Sequence, residues 1–257
     1  MLLTVDIGNT TVTFGVFDGD TLKLHGKISS RKRYVPVEYG IIFKDAFDKG
    51  GAKPSGIKGV VISSVVPGLE DIIKGALTGH LLPKGVKPLV AGADIPYGMP
   101  LDVDNPSEVG ADRVVNAVAA YERFKTSVIV VDFGTAVTLD YVTPDGRYAG
   151  GVIAPGISIS SDALHEKTAK LPKVGALRPG NVIGKNTVDA VRSGLYWGFA
   201  GLVDGVLEKM IAEIKALPEI IATGGDAALI AVVSGFIKEI DEFLTLKGLK
   251  ILYERKR

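Results

Sequence analysis

The stretch Leu3-Thr4-Val5-Asp6-Ile7-Gly8-Asn9-Thr10 runs into Val12-Thr13-Phe14-Gly15-Val16-Phe17 and then Asp18-Gly19. Half a chain later its counterpart reads Ile129-Val130-Val131-Asp132-Phe133-Gly134-Thr135, then Val137-Thr138-Leu139-Asp140-Tyr141-Val142, then Asp145-Gly146. Each copy is an apolar strand ending in Asp-x-Gly, a β-branched strand running back, and a turn with Asp-Gly at its tip. Asp-Gly between two such runs signals a hairpin, because its tight turn needs residues that tolerate positive φ. A repeat of this kind predicts two equivalent lobes.

Helix and strand alternate in the remainder of each half. Val37 to Phe47 reads as a helix with Pro36 ahead of it, where proline is tolerated. Val60-Val61-Ile62-Ser63 reads as a buried strand, Pro67 opens a second helix, and Val86 to Val90 is a further strand. The Pro/Gly-rich stretch Gly92 to Pro106 is a loop, and Ser107 is expected to cap a helix running to about Phe124. In the second half a long helix follows Thr187, and the strand Glu219–Ala222 runs into Thr223-Gly224-Gly225 before another helix near Asp226. The prediction is a two-lobed α/β fold, with a mixed sheet and helices in each lobe around a cleft. The lobes are expected to span residues 1–117 and 118–257.

Composition narrows the function. The chain has 257 residues, 46% hydrophobic and 23% charged, which suits a folded globular protein and not a disordered one. Thirty basic against 29 acidic side chains leave a net charge of +1, which gives no electrostatic case for nucleic-acid or membrane binding. With no cysteine, disulfides, thiolate nucleophiles and Cys-ligated metals are excluded. His25, His80 and His165 are too scattered to suggest a metal site. The first residues lack the basic flank of a signal peptide, and the apolar runs are too short to cross a bilayer. A cytoplasmic protein is expected.

The repeated motif carries the chemistry. Asp-x-Gly at a strand end places backbone N–H groups at a turn that a polyphosphate can approach closely. Asn9, Thr10 and Thr135 add donors, and the carboxylates of Asp6 and Asp132 suit a cation held beside phosphate oxygens. One such turn is commonplace; two at matching positions point to a nucleotide. Thr223-Gly224-Gly225, between a strand and a helix, is expected to complete an adenosine site. Gly180-Asn181-Val182-Ile183-Gly184-Lys185-Asn186-Thr187 resembles a P-loop but has the wrong glycine spacing. No Gly-x-Gly-x-x-Gly follows the first strand, which disfavours a dinucleotide fold.

Between the two turns, Gly110-Ala111-Asp112-Arg113 carries an acid–base pair into the start of a helix, with Asp112 and Asn116 on one face. Asp112 suits a base that deprotonates an attacking hydroxyl. It equally suits a helix-start carboxylate favoured by the macrodipole, and spacing alone leaves the two readings level. The stretch from Gly150 to Gly156, which ends the third strand of the second lobe, reads as a bend or as a close approach of substrate. His165 and Trp197 are expected to serve packing, and Glu254-Arg255-Lys256-Arg257 to form a solvated tail.

Taken in order, Asp6-Ile7-Gly8-Asn9-Thr10, Ser63-Ser64-Val65-Val66-Pro67, Asp104-Asn105-Pro106, Gly110-Ala111-Asp112-Arg113, Asp132-Phe133-Gly134-Thr135-Ala136, Gly150-Gly151-Val152-Ile153-Ala154-Pro155-Gly156, Gly184-Lys185-Asn186-Thr187 and Thr223-Gly224-Gly225 resemble the motif set of type III pantothenate kinases. The resemblance spans nearly the whole chain, and its specific part is Gly-Ala-Asp-Arg. The phosphate turns are shared across the actin/sugar-kinase/Hsp70 superfamily. The resemblance implies the duplicated actin-like (ribonuclease H-like) fold, and ATP-dependent phosphorylation of pantothenate to 4′-phosphopantothenate, the first step of coenzyme A synthesis. It implies a homodimer, Mg2+ or a similar divalent ion with ATP, and a monovalent cation, K+ or NH4+.

Carried over by motif, Asp6, Ile7, Gly8, Asn9, Thr10, Thr11, Val12, Thr13 and Thr135 would bind ATP, with Thr223, Gly224 and Gly225. Asp6 would face the Mg–ATP, through water or directly, and Asp132 would hold the monovalent cation. Gly110, Ala111, Asp112, Arg113 and Thr187 would contact pantothenate, with Asp112 as proton acceptor. Val103 stands where many members have a pocket tyrosine, so a hydroxyl contact is missing there. The rival readings are an actin-like nucleotide switch and a catalytically silent regulatory relative.

Overall fold

The computed structural model describes residues 1–32 and 34–256. The chain divides into two compact units. The first comprises Met1–Pro100, Asp104–Ala119 and Leu244–Arg257, and the second Leu101–Val103 with Ala120–Phe243.

In the first unit, β1 (Leu2–Ile7), β2 (Thr11–Asp18) and β3 (Thr21–Ser29) form an antiparallel meander, and β4 (Gly59–Ser64) and β5 (Pro88–Val90) add in parallel, giving the order β3-β2-β1-β4-β5. β1 is the central strand and is buried on both faces except at Asp6, which explains its near-continuous apolar run. Leu3, Val5 and Ile7 pack with Phe43 and Phe47 of α1 (Pro36–Lys49) and Ile73 and Leu77 of α2 (Leu69–His80). α1 starts where Pro36 supplies a preset φ, and the Glu38 carboxylate accepts the Val35 N–H at 2.8 Å. Over Gly15 and Thr4 of this sheet lies Leu246 of α7 (Leu244–Arg255): a Cβ at Gly15 would come within 2.9 Å of it.

The second unit repeats the plan. β6 (Val128–Phe133), β7 (Ala136–Val142) and β8 (Tyr148–Pro155) form the meander, β9 (Glu219–Gly224) and β10 (Glu239–Ile240) add in parallel, and the order is β10-β9-β6-β7-β8. Read from β8, this is the order of the first sheet. α4 (Ile157–Glu166), α5 (Thr187–Ile214) and α6 (Ala227–Ala231) supply Ile157, Leu195, Phe199, Val203 and Ile230 to its core. The hairpin tips are where the Asp-Gly pairs predict them, with positive φ at Gly19 (58°) and Gly146 (82°). The two-lobed α/β class is the one expected.

Several local expectations differ. The helix after the Pro/Gly-rich loop is α3 (Ala111–Phe124) and is not capped by Ser107. Asn105 instead caps a separate 3-10 turn over Pro106–Glu108, accepting from the Ser107 N–H at 3.2 Å, and extended Val109 interrupts the helix. Glu254, Arg255 and Lys256 are exposed, as expected of a solvated end, but Glu254 and Arg255 form the last turn of α7, which Leu246, Leu249 and Leu252 anchor in the core. His165 is exposed and Trp197 is 38% exposed, so neither sits in the core. The chain passes between the units within α3, and α7, expected with the second half, belongs to the first unit.

Candidate active site

Each unit positions its aspartate in the same way. In the first, Asp6 ends β1, and the parallel register sets it against Ser63 of β4, whose hydroxyl donates to Asp6 Oδ1 at 2.7 Å. In the second, Asp132 ends β6 and is set against Thr223 of β9, a buried threonine. Both carboxylates therefore lie at the C-terminal ends of parallel strands, where open α/β sheets place their ligands.

The turns that follow are related but unequal. The Gly8 N–H donates to the Thr11 carbonyl at 3.0 Å, and the Gly134 N–H to the Ala136 carbonyl at 3.1 Å. The first turn thus carries one more residue: Asn9 and Thr10 stand where the second has Thr135 alone. The extra peptide gives the first turn an additional N–H at its tip. Thr11, Val12 and Thr13 lie on β2, with Val12 fully buried, so Val12 shapes the turn from within the core. Thr135 is fixed by Gly156, whose N–H donates to the Thr135 carbonyl at 3.1 Å; a Cβ at Gly156 would lie 2.2 Å from that oxygen.

Gly224 has φ 93°, and a Cβ there would stand 2.6 Å from Asp132 Oδ1. A Cβ at Gly134 would stand 3.4 Å from the same oxygen. The chain at Gly224 therefore packs closely on this carboxylate, and only glycine fits there. Among the described residues no group of three or more His, Cys, Asp or Glu forms a dedicated metal cage. A divalent ion that arrives on nucleotide typically uses one or two carboxylates and the phosphates. Gly225, by contrast, has open space around it. Asp226, next along, is half-buried, and burial raises its carboxyl above the usual aspartate value.

The Gly-Ala-Asp-Arg block borders a cavity of about 450 Å3 in the first unit. Ser64, Val65, Tyr97, Gly110 and Ala111 are among its walls. Asp112 Oδ1 accepts the Arg113 N–H at 2.8 Å, and a Cβ at Gly110 would come within 2.5 Å of that oxygen, so the carboxylate leans over Gly110 at the cavity's edge. The cavity is tied to the Asp6 turn: Ile7 pairs with Ser64, and the Val65 N–H donates to the Ile7 carbonyl at 3.1 Å. Asp6 and Asp112 are thus linked through the end of β4. Asn116, expected to share Asp112's face, is buried and accepts from Thr245 of α7 at 2.7 Å, so it holds the fold.

Thr187 and Val103 belong to the second unit. Thr187 opens α5 beside Gly184 and Lys185, on a largely apolar cavity of about 600 Å3 with Leu164 and Leu171. Val103 Cγ1 would lie 3.8 Å from a Cβ at Gly150. Sequence reasoning missed two residues. Ser63 was legible as a hydroxyl closing an apolar strand beside another strand ending in Asp. Tyr97 sits in an aperiodic loop and carried no signal.

Two sheets of one topology, each with a central strand that runs into an Asp-x-Gly turn, make a duplicated two-lobed α/β fold shared with actin-like sugar kinases. A ROK family glucokinase from Streptomyces griseus, solved with glucose and AMPPNP, has this fold: TM-score 0.53 at 12% identity, covering 98% of this chain and 99% of that one. The sequence model of the type III pantothenate kinases matches residues 2–209. Type III pantothenate kinases of Geobacter sulfurreducens and Geotalea uraniireducens are each 48% identical over 257 residues, all of this chain and 100% and 99% of theirs. The chain belongs to the type III pantothenate kinase family. It is a kinase, and its chemistry uses ATP with a divalent cation.

Proposed function

We propose that the chain transfers the γ-phosphoryl group of ATP to the primary alcohol of pantothenate, giving 4′-phosphopantothenate for coenzyme A synthesis. Family membership supports the substrate. The observation that carries the mechanism is the continuity, within one unit, of the Asp6 turn and the cavity under Asp112.

In this reading the backbone N–H groups and hydroxyls from Gly8 to Thr13, with Thr135, bind phosphate oxygens. Thr223, Gly224 and Gly225 receive the adenosine. Gly110, Ala111, Arg113 and Thr187 contact pantothenate, and Val103 contributes an apolar surface. Asp112 accepts the alcohol proton as the oxygen attacks the γ-phosphorus in line and ADP departs. Such transfer needs mainly positioning and charge neutralisation. Asp6 would hold the divalent ion through its water shell, and Asp132 the K+ or NH4+. These cations would supply neutralisation of the charge that develops on the phosphates.

The enzyme acts as a cytoplasmic homodimer in this reading. Two features support the dimer. α5 is rich in apolar and small residues between its charged ones, Leu195, Trp197, Phe199 and Leu202 among them. Gly194, Gly198, Gly201 and Gly205 recur along one stripe of it, and a Cβ at any of them would meet nothing. The exposed Trp197 borders that stripe. Among the described residues, no helix is long and apolar enough to cross a membrane.

An ADP-release assay tests the proposal. ATP consumption should require pantothenate and yield one phosphorylated pantothenate per ADP. A rate independent of pantothenate would instead mark a nucleotide switch, and no turnover a silent relative.

A further inference from the structure

Tyr97 lies in the loop that follows β5, on the wall of the cavity beside Asp112. Two contacts fix it from opposite ends. Its ring tip rests on Gly92, where a Cβ would stand 2.5 Å from the phenol oxygen; the φ of 85° there also favours glycine. Its carbonyl accepts from the Arg255 guanidinium of α7 at 3.4 Å. Gly92 itself is held by its N–H to the Ile95 carbonyl at 2.7 Å, and the Asp94 carboxylate accepts the Val90 N–H at 2.8 Å. The loop is therefore built and the ring is placed. Yet the phenol hydroxyl makes no hydrogen bond among the described residues. A positioned hydroxyl on a cavity wall can donate to a ligand that enters the cavity.

The charge around it selects the ligand atom. Burial raises the Tyr97 phenol above its usual pKa, and the negative charge of Asp112 adds to this, so the group remains an O–H donor. Among the lining residues, Glu108 is the charged side chain, and neither lysine nor arginine is present. With Asp112 also at the edge, the cavity disfavours an anionic group.

We infer that Tyr97 is a substrate-binding residue whose phenol donates a hydrogen bond to an uncharged oxygen of the acceptor, holding its hydroxyl-bearing end beside Asp112. This rests on the functional reading above. It assigns the hydroxyl and amide end of pantothenate to this cavity, with the carboxylate directed away from it.

The test is Tyr97→Phe, which keeps the ring on Gly92 and deletes the donor. The KM for pantothenate should rise about three- to tenfold, the worth of one hydrogen bond. The KM for ATP, kcat at saturation and the thermal midpoint should stay near wild type. The pantothenate analogue with its carboxylate reduced to an alcohol, used as a competitor, should lose affinity by the same factor. An unchanged pantothenate KM overturns the inference. A loss confined to pantothenate, with the neutral analogue unaffected, overturns it too, by assigning the phenol to the carboxylate. A fall in kcat and thermal midpoint without a change in KM would make Tyr97 a merely structural residue. Wild-type enzyme that does not phosphorylate pantothenate would overturn the functional reading and this inference together, which separates that failure from the others.

Discussion

The hydroxyl of Ser63 donates to Oδ1 of Asp6 at 2.7 Å, across the parallel pair formed by β1 and β4. The bond orients a half-buried carboxylate at the mouth of the first Asp-x-Gly turn, the proposed phosphate site, in the way that outer partners orient ion-binding groups. Hydrogen bonds to a charged group are worth about 1.5–3 kcal/mol.

Ser63→Ala should therefore raise the KM for ATP about tenfold or more, while the KM for pantothenate stays within about twofold. Steady-state kinetics with each substrate varied in turn checks this. Unchanged ATP kinetics would show that the bond serves the fold alone.

Much of this arrangement was legible in the sequence, for definite reasons. Alternation and Asp-Gly tips make the meanders explicit, and the repeat of Asp-x-Gly makes the duplication explicit. The unequal turns were not legible, because the strands align with either spacing until the register is known. Nor was the place of α7: its buried leucines announce a helix, but nothing local says which sheet it covers. Asn105 competes with Ser107 for the cap and succeeds because Pro106 can open only a new turn. Tyr97 became visible only through its neighbours, since Gly92 and Arg255 position it from distant parts of the chain.

Gly224→Ala should destabilise the protein by about 2 kcal/mol or more, since left-handed backbone costs an L-residue about 1–2 kcal/mol before any clash. The new methyl would also press on Asp132 Oδ1 and the Phe133 carbonyl, so activation by K+ or NH4+ should be lost. Gly225→Ala, with open space around it, should be nearly neutral in stability. Urea denaturation of the pair reads the difference. Equal stabilities would contradict the crowding at Gly224.

Gly198→Trp tests the dimer. Gly198 is exposed and a Cβ there meets nothing within 4 Å, so the fold should be kept while the face is blocked. Sedimentation should show wild-type dimers and variant monomers with unchanged helical content. A monomeric wild type, or a variant that remains dimeric, would refute the proposed interface.

Burial holds the Asp226 carboxyl above its ordinary value. Between the unfolded and folded values the folded protein retains a proton that the unfolded chain has released, so stability falls as pH rises through that window. Asp226→Asn should raise the thermal midpoint at neutral pH, and the gain should fade as the pH drops below the ordinary aspartate range. A gain that persists unchanged in acid would contradict this cause.

The most direct test of the mechanism is single-turnover transfer from prebound ATP to pantothenate, comparing wild type with Asp112→Asn. The account predicts that the variant binds ATP normally but forms 4′-phosphopantothenate at least about a hundredfold more slowly, the lower range for loss of a general base. Product formation by Asp112→Asn at the wild-type rate would contradict it.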